Sequence, residues 1–100
     1  QLQILHTRLR TNCSSLNNDL YLKNITDSPL CRCGSIENTY HFFFQCSYYT
    51  PQRALLFDAI SRYCGITLHL LLFGDTSLSH DTNKNIFQQV QKYISDTKRF

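Results

Sequence analysis

Three cysteines and one histidine fall within the segment CRCGSIENTYHFFFQC, numbers 31–46 of the chain. Zinc prefers four tetrahedral ligands drawn from thiolate and imidazole groups, and a closed site of three cysteines and one histidine is a common structural type. A turn through Arg32 and Gly34 would let the first two cysteines face one point, and a following helix would bring the histidine and the last cysteine there. The pattern predicts a zinc-knuckle-like site that holds Zn²⁺ through Cys31, Cys33, His41 and Cys46.

The same four side chains have three other interpretations. Free cysteines are among the most buried residue types, so the group could be core filling with a hydrogen-bonded histidine. Disulfide pairing is a second interpretation, although an odd total of five clustered cysteines suits a metal site in a reducing compartment better. A cysteine nucleophile with His41 as its base would also need an orienting group and an oxyanion site, and no local signature supplies them. Cys13 and Cys64, which lie outside the cluster, are expected to be small apolar residues near helix ends.

Composition limits the class of protein. The chain has 100 residues, 42% of them apolar and 17% charged, which is typical of one small globular domain covering 1–100. Its longest apolar run, 66–73, is too short for a membrane helix, which needs about 20 residues. No signal peptide is recognisable and the chain has no methionine, so we expect an intracellular fragment of a longer protein, in the cytoplasm and nucleus. We expect no membrane partner and no small-molecule substrate.

Apolar spacing predicts an all-α fold of about five short helices that the knuckle holds together. Leucines at three- and four-residue spacing indicate a helix over the first ten residues, and Ser14 or Ser15 is expected to cap a short second helix. A helix from Ile36 would carry His41, with Ser35 as its cap and Glu37 placed favourably against its dipole. Thr50 and Pro51 predict the start of the next helix, which should end near Gly65 with Leu55, Leu56, Ala59, Ile60 and Tyr63 on its apolar face.

The second half of the chain is less clear. The run 66–73 could be a buried helix, a strand or an extended connector, because periodicity does not separate these in so short a segment. Residues 74–83 should form a loop. A last helix should begin at Asp81 or Thr82, with Ile86, Phe87, Val90, Tyr93 and Ile94 on its apolar side.

A mild excess of positive charge permits a polyanionic partner. The net charge is +3 and the pI is about 8.7. We expect Arg8, Arg10, Lys23 and Arg32 to contact nucleic-acid phosphates, with Arg32 fixed between two metal ligands. For each of these four residues taken singly, an ordinary solvated surface is the better explanation.

The order of these features resembles a known family. A basic opening, a leucine-containing short helix, an Asp-Ser-Pro turn, CxC with glycine, then glutamate, histidine and a last cysteine are similar to the C-terminal segment of reverse transcriptases encoded by animal non-LTR retrotransposons. The matching positions are Arg8, Arg10, Leu16, Leu20, Asp27, Ser28, Pro29, Cys31, Cys33, Gly34, Glu37, His41, Cys46 and Arg53.

The resemblance implies a CCHC zinc site in a mobile-element polyprotein whose parent is an RNA-directed DNA polymerase. These residues contain neither a polymerase aspartate pair nor an endonuclease signature, so the segment should not be catalytic by itself. The expected role is an accessory zinc module that helps to hold template RNA or target DNA, through weak and largely non-specific contacts. The alternative is a zinc-stapled structural or protein-interaction domain that docks on the polymerase body.

Overall fold

The computed structural model describes all 100 residues, and its elements are helical. No helix in it combines the length and the apolar character needed to cross a lipid bilayer. The only β-type pairing is an isolated antiparallel bridge between Leu30 and Ile36. The prediction of a small all-α fold is confirmed. The α-helices are α1 (Leu2–Arg10), α2 (Asn17–Leu22), α3 (Thr50–Ser61), α4 (Leu68–Phe73) and α5 (His80–Thr97), with a π-helical turn at His41–Gln45 and a 3₁₀ turn at Ser47–Tyr49.

Helix α5 is the centre of the core because its apolar side chains recur at helical spacing from Ile86 to Ile94. Ile86, Val90, Tyr93 and Ile94 are buried, as the sequence predicts, and helices α1, α3 and α4 pack against them. Phe87, the other residue predicted for this face, is partly buried against the same core.

Side chains of α1 complete the C-terminal end of α4. The last carbonyls of a helix have no partner within it. His6 Nε2 donates to the carbonyl of Leu71 at 2.8 Å, and Arg10 Nε donates to that of Leu72 at 2.6 Å. The first helix is therefore attached to the fourth by polar contacts as well as by apolar packing.

Several helix starts differ from the predictions. Helix α1 lies where expected, but α2 begins at Asn17 and neither Ser14 nor Ser15 caps it. The Ser14 hydroxyl instead donates to Asp19 at 2.6 Å and accepts from the Leu16 amide, forming a local turn before the helix. Helix α5 begins one residue earlier than predicted, because Ser79 supplies the cap by accepting from the Thr82 amide.

The region between α3 and α5 also differs in detail. Helix α3 starts at Thr50 with Pro51 in its first turn, as predicted, but it ends at Ser61 rather than near Gly65. Its predicted apolar face is partly wrong, since Leu55 is 63% exposed. The ambiguous run 66–73 is helical from Leu68 because the hydroxyl of Thr67 accepts from the amide of Leu70.

Protonation of His6 should weaken the fold. Burial lowers the pKa of His6 from the ordinary 6.5; the bond to Leu71 raises it in part, and the charge of Arg10 lowers it. The unfolded chain therefore takes up this proton first as the pH falls below 6.5, and stability is lost down to the folded pKa. We expect His6→Gln, whose amide can still donate to Leu71, to flatten the decline in unfolding free energy between pH 7 and 5. Urea denaturation at several pH values across this range measures how the free energy of unfolding declines.

The same substitution at exposed His80 is the matched control and should keep the wild-type slope. Parallel pH profiles for His6→Gln and the wild type would contradict the assignment of this acid sensitivity to His6.

Candidate metal centre

A tight turn brings Cys31 and Cys33 to the same side of the chain. The Gly34 amide donates to the Cys31 carbonyl at 2.9 Å, and the Cys31 amide donates to the Ser35 carbonyl at 2.7 Å. Gly34 has a φ of +95°, a conformation that other residues adopt only at a cost. The expected sharp bend around Arg32 is confirmed, and we call residues 31–35 the chelate loop.

His41 is placed by a short helical segment that begins later than predicted. Ile36 lies in the bridge to Leu30, not in a helix, and helical backbone starts at residue 39. The prediction that Ser35 caps this helix is therefore wrong. Asn38 takes that role: its side-chain oxygen accepts from the His41 amide at 2.8 Å.

A π-helical turn connects His41 with Cys46. The amide of Cys46 donates to the carbonyl of His41 at 2.9 Å, five residues back, and the backbone becomes extended at Cys46. Single π turns in proteins are often associated with functional sites. Here the turn fixes the spacing between His41 and Cys46 through the backbone bond that joins them.

The four predicted ligands meet at one place. One ligand atom from each of Cys31, Cys33, His41 and Cys46 lies within 4.8 Å of all the others. The Sγ atoms of Cys31 and Cys46 are 3.7 Å apart, and Cys33 Sγ is 3.2 Å from His41 Nε2. A zinc tetrahedron with bonds of about 2.3 Å to sulfur and about 2.0–2.1 Å to nitrogen requires edges of about 3.8 Å and about 3.6 Å. The donor set and these two separations are therefore close to those of a tetrahedral site, and the group could hold a metal ion.

All five thiols are free in this structure. The 3.7 Å between the sulfurs of Cys31 and Cys46 is far longer than the disulfide bond length of about 2.05 Å. The disulfide interpretation is therefore wrong for this arrangement. Cys13 is exposed and Cys64 is partly buried against the core, and neither belongs to the cluster.

The two thiols of the chelate loop have different environments. Burial raises the pKa of Cys31 to about 12, since a thiolate there would lose hydration. The pKa of Cys33 is lowered, chiefly because the backbone amide of Ser35 stabilises its thiolate. His41 is also buried, and its Nδ1 atom has no hydrogen-bond partner. A divalent cation would compensate the cost of burying these groups together.

Helices α3 and α5 donate hydrogen bonds to backbone carbonyls in and next to the π turn. Arg53 Nε donates to the Phe43 carbonyl at 3.0 Å, and its Nη2 donates to the Cys46 carbonyl at 2.6 Å. Tyr93 of α5 donates its hydroxyl to the carbonyl of Phe42. Carbonyls left unsatisfied by the short turn are thus bonded to two core helices, which fixes the orientation of the turn.

A second contact connects the knuckle with the C-terminal tail. The carboxylate of Glu37 is only 3% exposed and accepts from Arg99 Nε at 3.0 Å and Arg99 Nη2 at 2.6 Å. It also accepts from the Asn17 amide at 2.8 Å, and Arg99 donates to the Ser15 carbonyl. Burial alone would raise the pKa of Glu37, but Arg99 and that amide hold it below its ordinary value. The sequence predicts that Glu37 stabilises the N-terminus of its own helix. Its carboxylate instead accepts from the amide of Asn17 at the start of α2.

Sequence reasoning did not identify Arg99 as part of this site. Its partner lies 62 residues earlier, and no local pattern reports so distant a pairing. A basic residue beside an aromatic at the end of an amphipathic helix was the only available signal.

The predicted nucleic-acid ligands occupy different environments. Arg8 and Lys23 are exposed, and Arg32 is exposed with its guanidinium 4.2 Å from the centre of the Tyr48 ring. Arg10 instead bonds to Leu72 and lies over two aromatic rings. Arg10 is thus engaged within the fold, whereas Arg32 extends from the chelate loop.

Comparison with protein-family models, with curated proteins and with solved structures found no match.

Loss of Arg99 should destabilise the fold because it leaves the Glu37 carboxylate buried without its counter-charge. We expect Arg99→Gln to reduce the free energy of unfolding by about 2 kcal/mol, and Glu37→Gln combined with it to cost less than the sum of the two single changes. A double-mutant cycle by urea denaturation measures this coupling.

The exposed pair Lys92 and Asp96, whose Nζ and Oδ2 atoms are 2.6 Å apart, is the matched control. Lys92→Gln should cost no more than about 0.5 kcal/mol. Equal effects of Lys92→Gln and Arg99→Gln would show that the Glu37 pair gives no special stabilisation.

Proposed function

We propose that Cys31, Cys33, His41 and Cys46 bind one Zn²⁺ ion as a structural centre. The observation that carries this proposal is the convergence of three thiol sulfurs and one imidazole nitrogen within 4.8 Å. Soft thiolates with one imidazole in a tetrahedral arrangement favour zinc over magnesium or calcium, which prefer oxygen ligands. When bound, the ion neutralises thiolate charge and joins the chelate loop to the π turn. Four protein ligands close the site, so its role is to hold structure.

The function that we propose for the whole segment is an accessory nucleic-acid-binding module of a retrotransposon reverse transcriptase. The resemblance of its sequence pattern supports this origin, and the exposed Arg8, Lys23 and Arg32 supply cations for phosphate contacts. The module would help the parent polymerase to hold template RNA or target DNA, without a catalytic step of its own. Its partners are an RNA or DNA backbone and the rest of the polyprotein, inside the cell.

A protein-docking role is the second candidate. Leu30, Ile36 and Tyr40 are each about half exposed and lie before or between the ligands of the knuckle. Apolar side chains displayed together suit contact with another protein surface, here the polymerase body. In that case zinc would stabilise the docking surface, and nucleic acid would bind elsewhere.

Metal content tests the zinc proposal. Protein purified without added zinc should contain about one equivalent, and His41→Ala or Cys46→Ser should remove most of it. Both changes should also lower the Tm by roughly 10 °C or more, since a loss of about 2 kcal/mol shifts a domain of this size by roughly 8–16 °C. Elemental analysis and thermal denaturation give the two readouts.

Cys13→Ser and Cys64→Ser are the controls for thiol loss and should retain the wild-type metal content. Similar metal losses from all cysteine variants would refute the assignment of the four ligands.

A salt series separates the two candidate roles. The log of the association constant for a single-stranded oligonucleotide should fall with the log of salt concentration, with a slope of about −0.7 for each phosphate contact. We expect a slope between about −2 and −3, as three or four contacts would give. A slope near zero, or no binding at low salt, would favour the docking role.

A further inference from the structure

An open cleft of about 350 Å³ lies between the knuckle and the C-terminal tail. One wall belongs to the chelate loop and includes Arg32, and the other belongs to the residues that follow α5, Lys98 and Arg99. Glu37 also lines the cleft and is the only carboxylate that does so. Segments more than 60 residues apart in sequence therefore bring three cations to one opening.

Most of the positive charge in the cleft is not used within the protein. Arg99 uses Nε and Nη2 for Glu37 and Ser15, and its Nη1 group has no protein partner. Neither Lys98 nor Arg32 makes a side-chain hydrogen bond or an ion pair, and the guanidinium of Arg32 lies over the ring of Tyr48. Glu37 offsets one of the three cations, so two positive charges remain with donors free to bind an anion.

The tail has a defined backbone where it forms the wall. Lys98 adopts a left-handed conformation with φ of +53°, and its amide donates to the Ser95 carbonyl. Arg99 is then fixed by Glu37, and the Phe100 ring packs 5.4 Å from that of Phe42. The cations on this wall are therefore attached to a chain end that is bonded to the core.

The shape and chemistry of the cleft suit an extended polyanion. Guanidinium and ammonium groups that line one open cleft can contact successive phosphates of a strand that lies in it. Tyr48 does not line the cleft, but it is 48% exposed and its ring lies against the guanidinium of Arg32, so it offers aromatic surface next to one of the cations. If three thiolates hold a divalent ion, the centre contributes one negative charge, which is smaller than the excess from the basic side chains.

We propose that this cleft binds the phosphodiester backbone of a nucleic-acid strand, with Arg32, Lys98 and Arg99 as its phosphate ligands. The inference rests on the proposed nucleic-acid-binding function and assigns it to a surface that joins the knuckle to the tail. Arg8 and Lys23 do not line this cleft and are secondary to it.

The test compares two charge-matched double variants of the full chain. Arg32→Gln with Lys98→Gln removes one free cation from each wall and leaves the Glu37–Arg99 pair intact. Arg62→Gln with Lys84→Gln is the control: both residues are exposed, neither lines the cleft, and Arg62 also lies over an aromatic ring. Lys98→Gln alone changes no residue of the knuckle and is the variant least able to disturb folding.

Fluorescence anisotropy with twelve-nucleotide single-stranded RNA and DNA of one sequence provides the readout. Removal of two phosphate contacts should make the slope of the log association constant against log salt concentration less negative by about 1.4. Binding should then weaken roughly 25-fold near 0.1 M salt. The cleft variant should show this loss and Lys98→Gln about half the change in slope, while the control stays within about twofold of the wild type. Loss of affinity for both the RNA and the DNA oligonucleotide indicates recognition of the phosphate backbone. Loss of affinity for RNA only indicates that the cleft also contacts the 2′-hydroxyl.

Two results would overturn the inference, and they differ in what else they affect. Suppose that the wild type binds in a salt-dependent way, but that the cleft and control variants lose affinity equally or not at all. The cleft would then not be the binding surface, while the proposed function would stand. Absence of wild-type binding to both oligonucleotides would remove both proposals.

Discussion

The knuckle depends on one constraint: three thiols and an imidazole from two separate segments share a space 4.8 Å across. Such groups are costly to bury as separate charges: burial, together with the neighbouring thiols of Cys33 and Cys46, raises the pKa of Cys31 to about 12. One shared cation would make their burial favourable and would close the loop between residues 31 and 46. For a chain of this length, whose net stability is a small difference between large opposing contributions, such a crosslink would be a substantial share of the total.

The rest of the fold holds that site from two directions. Arg53 on α3 and Tyr93 on α5 bond to carbonyls of the π turn, so the core helices fix the segment that carries His41 and Cys46. On the other side, Arg99 binds Glu37 beside the chelate loop. The longest helix thus contacts the knuckle through Tyr93, near its C-terminal end, and through the tail that follows it.

The basic residues show why net charge is a weak guide to function. Arg10, Arg53 and Arg99 donate to carbonyls or to a buried carboxylate, so much of their hydrogen-bonding capacity is used internally. Arg32 and Lys98 make no such bonds. A formal charge of +3 therefore hides a division between cations that stabilise the fold and cations that remain available to a partner.

The sequence by itself determined the helical class, the apolar face of α5 and the four candidate ligands, because helical periodicity and the ligand preference of a metal are local properties. It did not determine that Asn38 rather than Ser35 caps the turn before His41, or that Ser14 bonds Asp19 instead of starting α2, since several polar residues compete for the same amides. Only the tertiary structure decided that Arg99 pairs with Glu37 and that Lys98 and Arg32 line the same cleft. Those placements follow from how α5 crosses the core, and packing over 60 residues of separation leaves no periodic signal in the chain.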